Sequence, residues 1–203
     1  MLTVGTDPAG VEVRLSSAAL ACPGCSGRLA PWGHGRARIV RADGPVRWRL
    51  RPRRARCSGC GITHILLPVT CLVRRADAMG VIGAALMAAA VGWGYRRIAV
   101  LLDRPASTVR GWLRRFGARA GPLRAVFTRL ACALAAAPRM PEPAGSELAD
   151  AVAAIVAAAR AVGARWGQSV LTMSPWRLAV SVTSGRLLEP GLGVEWINTS
   201  RLW

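Results

Sequence analysis

Two cysteine pairs, Cys22-Pro23-Gly24-Cys25 and Cys57-Ser58-Gly59-Cys60, constrain this chain more than any other feature. A two-residue spacing lets both thiolates of a pair point at one ion while the turn between them aims backbone N–H groups at sulfur. Two such pairs complete a tetrahedral site. The pattern therefore predicts one structural Zn2+ held by Cys22, Cys25, Cys57 and Cys60. The competing uses, two disulfides or a redox dithiol, need an oxidising compartment or a βαβ setting. No basic start followed by an apolar stretch opens the sequence, so a cytoplasmic, reducing setting is expected, and no βαβ pattern flanks either pair. With four thiolates in place, His34 and His64 are expected beside the site or against phosphate. Cys71 and Cys132, lacking a paired spacing, are expected as small buried hydrophobes.

The 31 residues between the pairs leave room for a hairpin. Residues 46–53 alternate strictly, placing Val46, Trp48, Leu50 and Pro52 on one strand face and Arg47, Arg49, Arg51 and Arg53 on the other. Arg36 and Arg38 alternate with Ala37 and Ile39 before a turn at Ala42-Asp43-Gly44-Pro45. Pairing Arg41 with Val46 sets Ile39 opposite Trp48, Arg38 opposite Arg49 and Arg36 opposite Arg51. Like charges so placed destabilise a sheet, so this face makes sense as a phosphate-binding surface, or else as a solvated one.

Charge supports an anionic partner. All 28 basic residues are arginine against 10 acids, a net charge of +18, and nucleic acid is the usual partner of such a chain. The excess lies in residues 1–130; residues 131–203 are nearly neutral, with six arginines and five acids. A hydrophobic fraction of 52% excludes a disordered polyelectrolyte. The uncharged run from Ala78 to Tyr95 touches the lower length limit for a membrane span, but its alanines and glycines fit a buried helix of a non-membrane protein.

That run begins a helical segment. Asp77 is placed to cap a helix through Val81, Ile82, Ala85, Leu86 and Ala89, and Gly92-Trp93-Gly94 ends it. A second helix runs from Tyr95 to about Asp103 with Ile98, Leu101 and Leu102 on one side. A third, capped by Ser107, runs from Thr108 to about Ala120 with Val109, Trp112, Leu113 and Phe116 inward and Arg110, Arg114, Arg115 and Arg119 outward. The spacing of Ala99, Asp103, Val109 and Trp112 fits a helix-turn-helix, with Asp103 at the turn position glycine usually holds. Ser107, Thr108, Arg110, Arg114 and Arg115 are then placed to reach DNA bases.

Taken in order, Cys22-Pro-Gly-Cys25, Trp32-Gly33-His34-Gly35, Pro52-Arg-Arg-Ala-Arg-Cys57, Thr63-His64-Ile-Leu-Leu-Pro68, Gly94-Tyr95-Arg-Arg-Ile-Ala99 and Ser107-Thr108-Val109-Arg110-Gly-Trp112 resemble a family of high-GC bacterial proteins. That family is similar to the zinc-ribbon and helix-turn-helix front end of insertion-sequence transposases. The resemblance covers residues 20–120. It implies double-stranded DNA binding at both parts and carries over no catalytic site; a transposase or a second copy of the chain is the protein partner to be expected. Residues 121–203 supply Glu142, Glu147, Asp150, Glu189 and Glu195, too short a stretch for a two-metal nuclease core. Glu147 and Asp150 instead open an alanine-rich helix from Ser146 to about Trp166, where acids favour the helix dipole, and its apolar stripe is expected to pack back on the DNA-binding part.

The expected fold is α+β: a segment 1–20, a small zinc ribbon with a β-hairpin over 21–75, an all-α helix-turn-helix domain over 76–130, a linker 131–145, and a C-terminal helix with an irregular tail over 146–203. The expected function is zinc-stabilised, sequence-specific DNA binding, transposon-associated or regulatory, without catalysis. A protein-interaction adaptor and an RNA-binding protein are the alternatives.

Overall fold

The computed structural model describes residues 1–135, 141–166 and 174–190. Its architecture is α+β, with a cysteine-bearing sheet first and helices after it. Strands β1 (Leu2–Val4), β2 (Leu29–His34), β5 (Arg53–Cys57) and β6 (Thr63–Pro68) form a sheet in the order β1-β6-β5-β2. β1 runs parallel to β6, and the other neighbours are antiparallel. Residues 1–20, expected only as a leading segment, thus supply an edge strand and the helix α1 (Pro8–Ser16), whose first turn Asp7 caps through the N–H groups of Ala9 and Gly10.

Strands β3 (Arg38–Arg41) and β4 (Arg47–Leu50) form the hairpin as a separate two-stranded sheet. Its register differs by one residue from the expected one. Val40 stands opposite Trp48, Ile39 opposite Arg49, Arg38 opposite Leu50 and Arg41 opposite Arg47. A one-residue slip moves every side chain of the slipped strand, here β3, to the other face, and burial sets the choice. Val40 is fully enclosed in the helical core with Trp48 and Leu50 packed on it, whereas Ile39 is half exposed. The arginine strand also ends earlier than its alternation suggests, because Arg53 starts β5 in the other sheet.

Among the described residues the helices after the sheet are α2 (Met79–Ala90), α3 (Tyr95–Leu101), α4 (Ala106–Gly117), α5 (Ala120–Leu134), α6 (Glu147–Trp166) and α7 (Pro175–Val182). Asp77 does not cap α2; it is buried in ion pairs with Arg41 and Arg104. Ser107 lies inside α4 rather than capping it. Leu101 faces solvent, and Ile98 with Ala99 takes the inward side of α3. Arg119 is buried rather than outward: it donates to the carbonyls of Arg186 and Leu187 and so ties the segment after α7 to the start of α5. Of the two single cysteines, Cys71 is buried as expected, and Cys132 is exposed on α5.

Ser146 and Asp150 anchor the start of α6. Ser146 Oγ accepts from Ala149 N, and the Asp150 carboxylate accepts from Ala144 N and from Arg124 on α5. The apolar stripe of α6, Val152, Ile155, Ala158 and Val162, then packs back into the helical core. Trp176 of α7 packs on Gly83 of α2, where any Cβ would overlap its ring. The linker residues 136–140 and the tail tryptophans Trp196 and Trp203 lie outside the described residues. Among the described residues no helix is long and apolar enough to cross a membrane.

Two cores result. A small one beside the cysteines holds Leu2, Val4, Val11, Leu15, Leu20, Leu29 and Leu66, and a larger one unites the helices. Strand alternation joins them: in β6, Leu66 enters the first and Leu67 the second.

Candidate metal centre and nucleic-acid interface

The turn after Leu20 and the β5–β6 turn bring Cys22, Cys25, Cys57 and Cys60 together, with all four sulfurs within 4.8 Å of one another. Cys22 Sγ lies 3.7 Å from Cys60 Sγ, and Cys25 Sγ lies 3.4 Å from Cys57 Sγ. A tetrahedral zinc with metal–sulfur bonds of about 2.3 Å would space its sulfurs by about 3.8 Å, so the cluster fits a four-coordinate ion. Among the described residues it is the one group of His, Cys, Asp or Glu side chains so gathered.

Backbone amides turn toward the sulfurs as the knuckle spacing requires. Gly24 N–H donates to Cys22 Sγ (3.4 Å), and Gly59 N–H (3.3 Å) and Cys60 N–H (3.5 Å) donate to Cys57 Sγ. The Cys60 N–H, with help from Cys25 and Gly59, lowers the Cys57 thiol to about 6 against the cost of burial. The Ile62 N–H pulls Cys60 down, but desolvation and the three neighbouring thiols push it up to about 12. Four thiolates gathered this closely call for a cation.

Sequence reasoning left one detail of this site unread. Gly27 lies so close that a Cβ there would stand 2.9 Å from Cys57 Sγ and 3.3 Å from Cys25 Sγ, whereas Gly24 has open space around it. The glycine two residues past the second cysteine of the pair was the available signal. His64, buried, places Nε2 3.4 Å from Cys22 Sγ, beside the site as expected, while His34 is exposed. Cys71, whose thiol burial pushes up, belongs to the helical core.

The second candidate surface is built on α3, α4 and the turn between them. Asp103 adopts the left-handed conformation (φ +49°), as the turn position demands. Ala99 lets the helices cross closely, and Val109, Trp112 and Phe116 lock α4 onto the core. The opposite face of α4 presents Ser107, Arg110 and Arg114 to solvent; Thr108 is half-buried, and half-buried Arg115 donates to the Gly111 carbonyl of its own helix. Aromatic rings sit beside one arginine of each helix: Arg97 of α3 lies 3.6 Å over Trp93, and Arg110 of α4 lies 6.0 Å from the Tyr95 ring centre.

The hairpin arginines divide. Arg36, Arg47, Arg49 and Arg51 are exposed. Arg38 shares the core-facing side with Val40 and donates to the Leu72 carbonyl (3.4 Å). Arg53 is engaged by Glu12 (2.6 Å) and by the Gly33 carbonyl (2.7 Å). Arg38 and Arg53 are therefore structural in this fold and do not join the exposed arginine face.

A family model of homeodomain-like domains matches residues 82–124, from within α2 to the start of α5. No curated protein and no solved structure matches the chain. The helical part therefore contains a homeodomain-like helix-turn-helix, a domain type that points to DNA binding, joined to a four-cysteine sheet suited to a metal ion.

Proposed function

We propose that this chain is a zinc-stabilised, sequence-specific binder of double-stranded DNA, transposon-associated or regulatory, that acts by binding and not by catalysis. The observation that carries this reading is α4. Its inner face is fixed by Val109, Trp112 and Phe116, directly after a left-handed turn, and its outer face offers Ser107, Arg110 and Arg114 to a groove. Zinc suits the four-thiolate set, since soft sulfur ligands in a tetrahedron select it over hard cations. The ion's part is structural: Cys22, Cys25, Cys57 and Cys60 would hold it and so fasten β2, β5 and β6. Arginines on the hairpin face supply charge that positions the protein on phosphates, while α4 reads base edges.

The test is a titration of the metal-loaded chain with duplex DNA and with structured RNA over a range of salt. Neutralising about six phosphates gives a log–log slope of roughly −5 on the duplex, with weaker binding to RNA. A slope near zero, or tighter binding to RNA, overturns the reading. Little affinity for either would favour an adaptor for other proteins.

A further inference from the structure

The β3–β4 hairpin interrupts the cysteine sheet in sequence but belongs to the helices in space. Val40 is sealed in the helical core, and the β3 backbone bonds to the strand-like entry of α2: Arg41 N–H donates to the Ala76 carbonyl (2.7 Å) and Ala78 N–H to the Arg41 carbonyl (2.8 Å). Between hairpin and helix-turn-helix lies one buried carboxylate. Asp77 accepts from Arg41 Nη2 at 2.7 Å and from Arg104 Nε at 2.8 Å. Arg104 is the residue after the left-handed Asp103, in the turn that leads into α4. Its remaining nitrogens donate to the carbonyls of Ala42 on the hairpin and of Leu102 and Asp103 in the turn.

Such a clamp fixes an angle rather than merely adding stability. A buried carboxylate shared by two guanidiniums keeps its geometry because losing either partner leaves a charge unpaired. The hairpin tip, at Gly44 and Pro45, faces Asp103 and Pro105 across a cleft of about 280 Å³. Arg41 and Arg47 stand directly opposite each other, a repulsive pair. Asp77 neutralises Arg41, while Arg47, exposed at the rim of this cleft, and exposed Arg49 have no carboxylate among the described residues in an ion pair with them.

We propose that the β3–β4 hairpin is a wing of the helix-turn-helix rather than an arm of the metal site. It holds the DNA phosphates flanking the groove that the N-terminal end of α4 enters, and Asp77 is the residue that positions it. This rests on the duplex-binding reading above, and the experiment separates the two. With the metal-loaded full chain and a duplex carrying its selected site, a photo-crosslinking residue replaces exposed Val46 at the hairpin turn. Crosslinks are expected on one flank of the base pairs whose preference Arg110→Ala relaxes, within about half a helical turn of about 10 bp.

In parallel, Arg49→Ala is measured in the parent and in an Asp77→Asn background. It is expected to weaken duplex binding on the order of fivefold in the parent and by less than twofold beside Asp77→Asn. The single Asp77→Asn variant should keep the base preference set by α4, a readout that simple unfolding would erase. Equal Arg49→Ala losses in both backgrounds, or crosslinks scattered along the duplex, overturn the wing while leaving α4 as the reader. Absence of any duplex binding by the parent overturns both readings. If Asp77→Asn does not fold, the crosslink map of the otherwise unaltered chain decides alone.

Discussion

Removing the metal should dissect this protein along a line that the sequence order does not suggest. The core beside the cysteines is small, with ten buried residues among those described, including Cys22 and Cys57. Four-cysteine zinc sites contribute an apparent 10–16 kcal/mol, about the entire stability of an ordinary domain, so chelation or Cys57→Ser should melt β2, β5 and the cysteine-facing part of β6. The hairpin lies between β2 and β5 in the chain, yet its anchors are elsewhere. Burying Val40 is worth about 2 kcal/mol, and the backbone bonds from Arg41 to Ala76 and from Ala78 to Arg41 about 1 kcal/mol each. An opening cost of about 4 kcal/mol slows amide exchange by about three decades. Hydrogen exchange read by mass spectrometry before and after chelation is the assay. Peptides covering residues 53–57 and 63–66 should lose protection, while 38–42 and 47–50 keep at least a hundredfold slowing. If the hairpin exchanges in step with the knuckles, its docking on the helices is not what holds it.

Two substitutions of glycine test the close packing. Gly27→Ala should reduce metal content well below one equivalent per chain by metal analysis, because its Cβ would crowd Cys57 Sγ at 2.9 Å and the Gly59 N at 3.3 Å; full loading would contradict the cluster geometry. Gly83→Ala should destabilise the helical part by about 1–3 kcal/mol through overlap with the Trp176 ring. Thermal unfolding reads this as a drop of about 2–4 °C per kcal/mol, and an unchanged Tm would mean that α7 does not sit on α2 in solution.

Short-range chemistry was legible in the sequence, and long-range pairing was not. The cysteine spacing carried the cluster because the knuckle turn is local, and the 3.6-residue pattern carried α2, α3 and α4. Asp103 as the left-handed turn residue was legible for the same reason. The hairpin strands were readable from alternation, but their register was not. Only the helical core distinguishes Val40 from Ile39 as the inward residue, and that core is assembled from residues far along the chain. Asp77 shows the same limit. An Asp just before an apolar periodic run reads as a helix cap, yet its partners stand 36 residues before it and 27 after it. Arg119 and Arg53 looked like surface cations until their carbonyl and carboxylate partners were in view. Helix α5 was not read from the sequence, where the third helix ends at about Ala120; Pro122 falls in its first turn, where proline is tolerated because its missing N–H has no intrahelical partner.

The division of labour between helix and hairpin is the centre of the account, and binding-site selection with two variants tests it most directly. Arg110→Ala, on the exposed face of α4, should cost about 1–3 kcal/mol and relax the preference at one base pair. Arg49→Ala, on the exposed face of the hairpin, should weaken binding to all sequences alike and flatten the salt slope by about one unit. A changed preferred sequence with Arg49→Ala and an unchanged one with Arg110→Ala would contradict it, making the hairpin the reader and α4 a support.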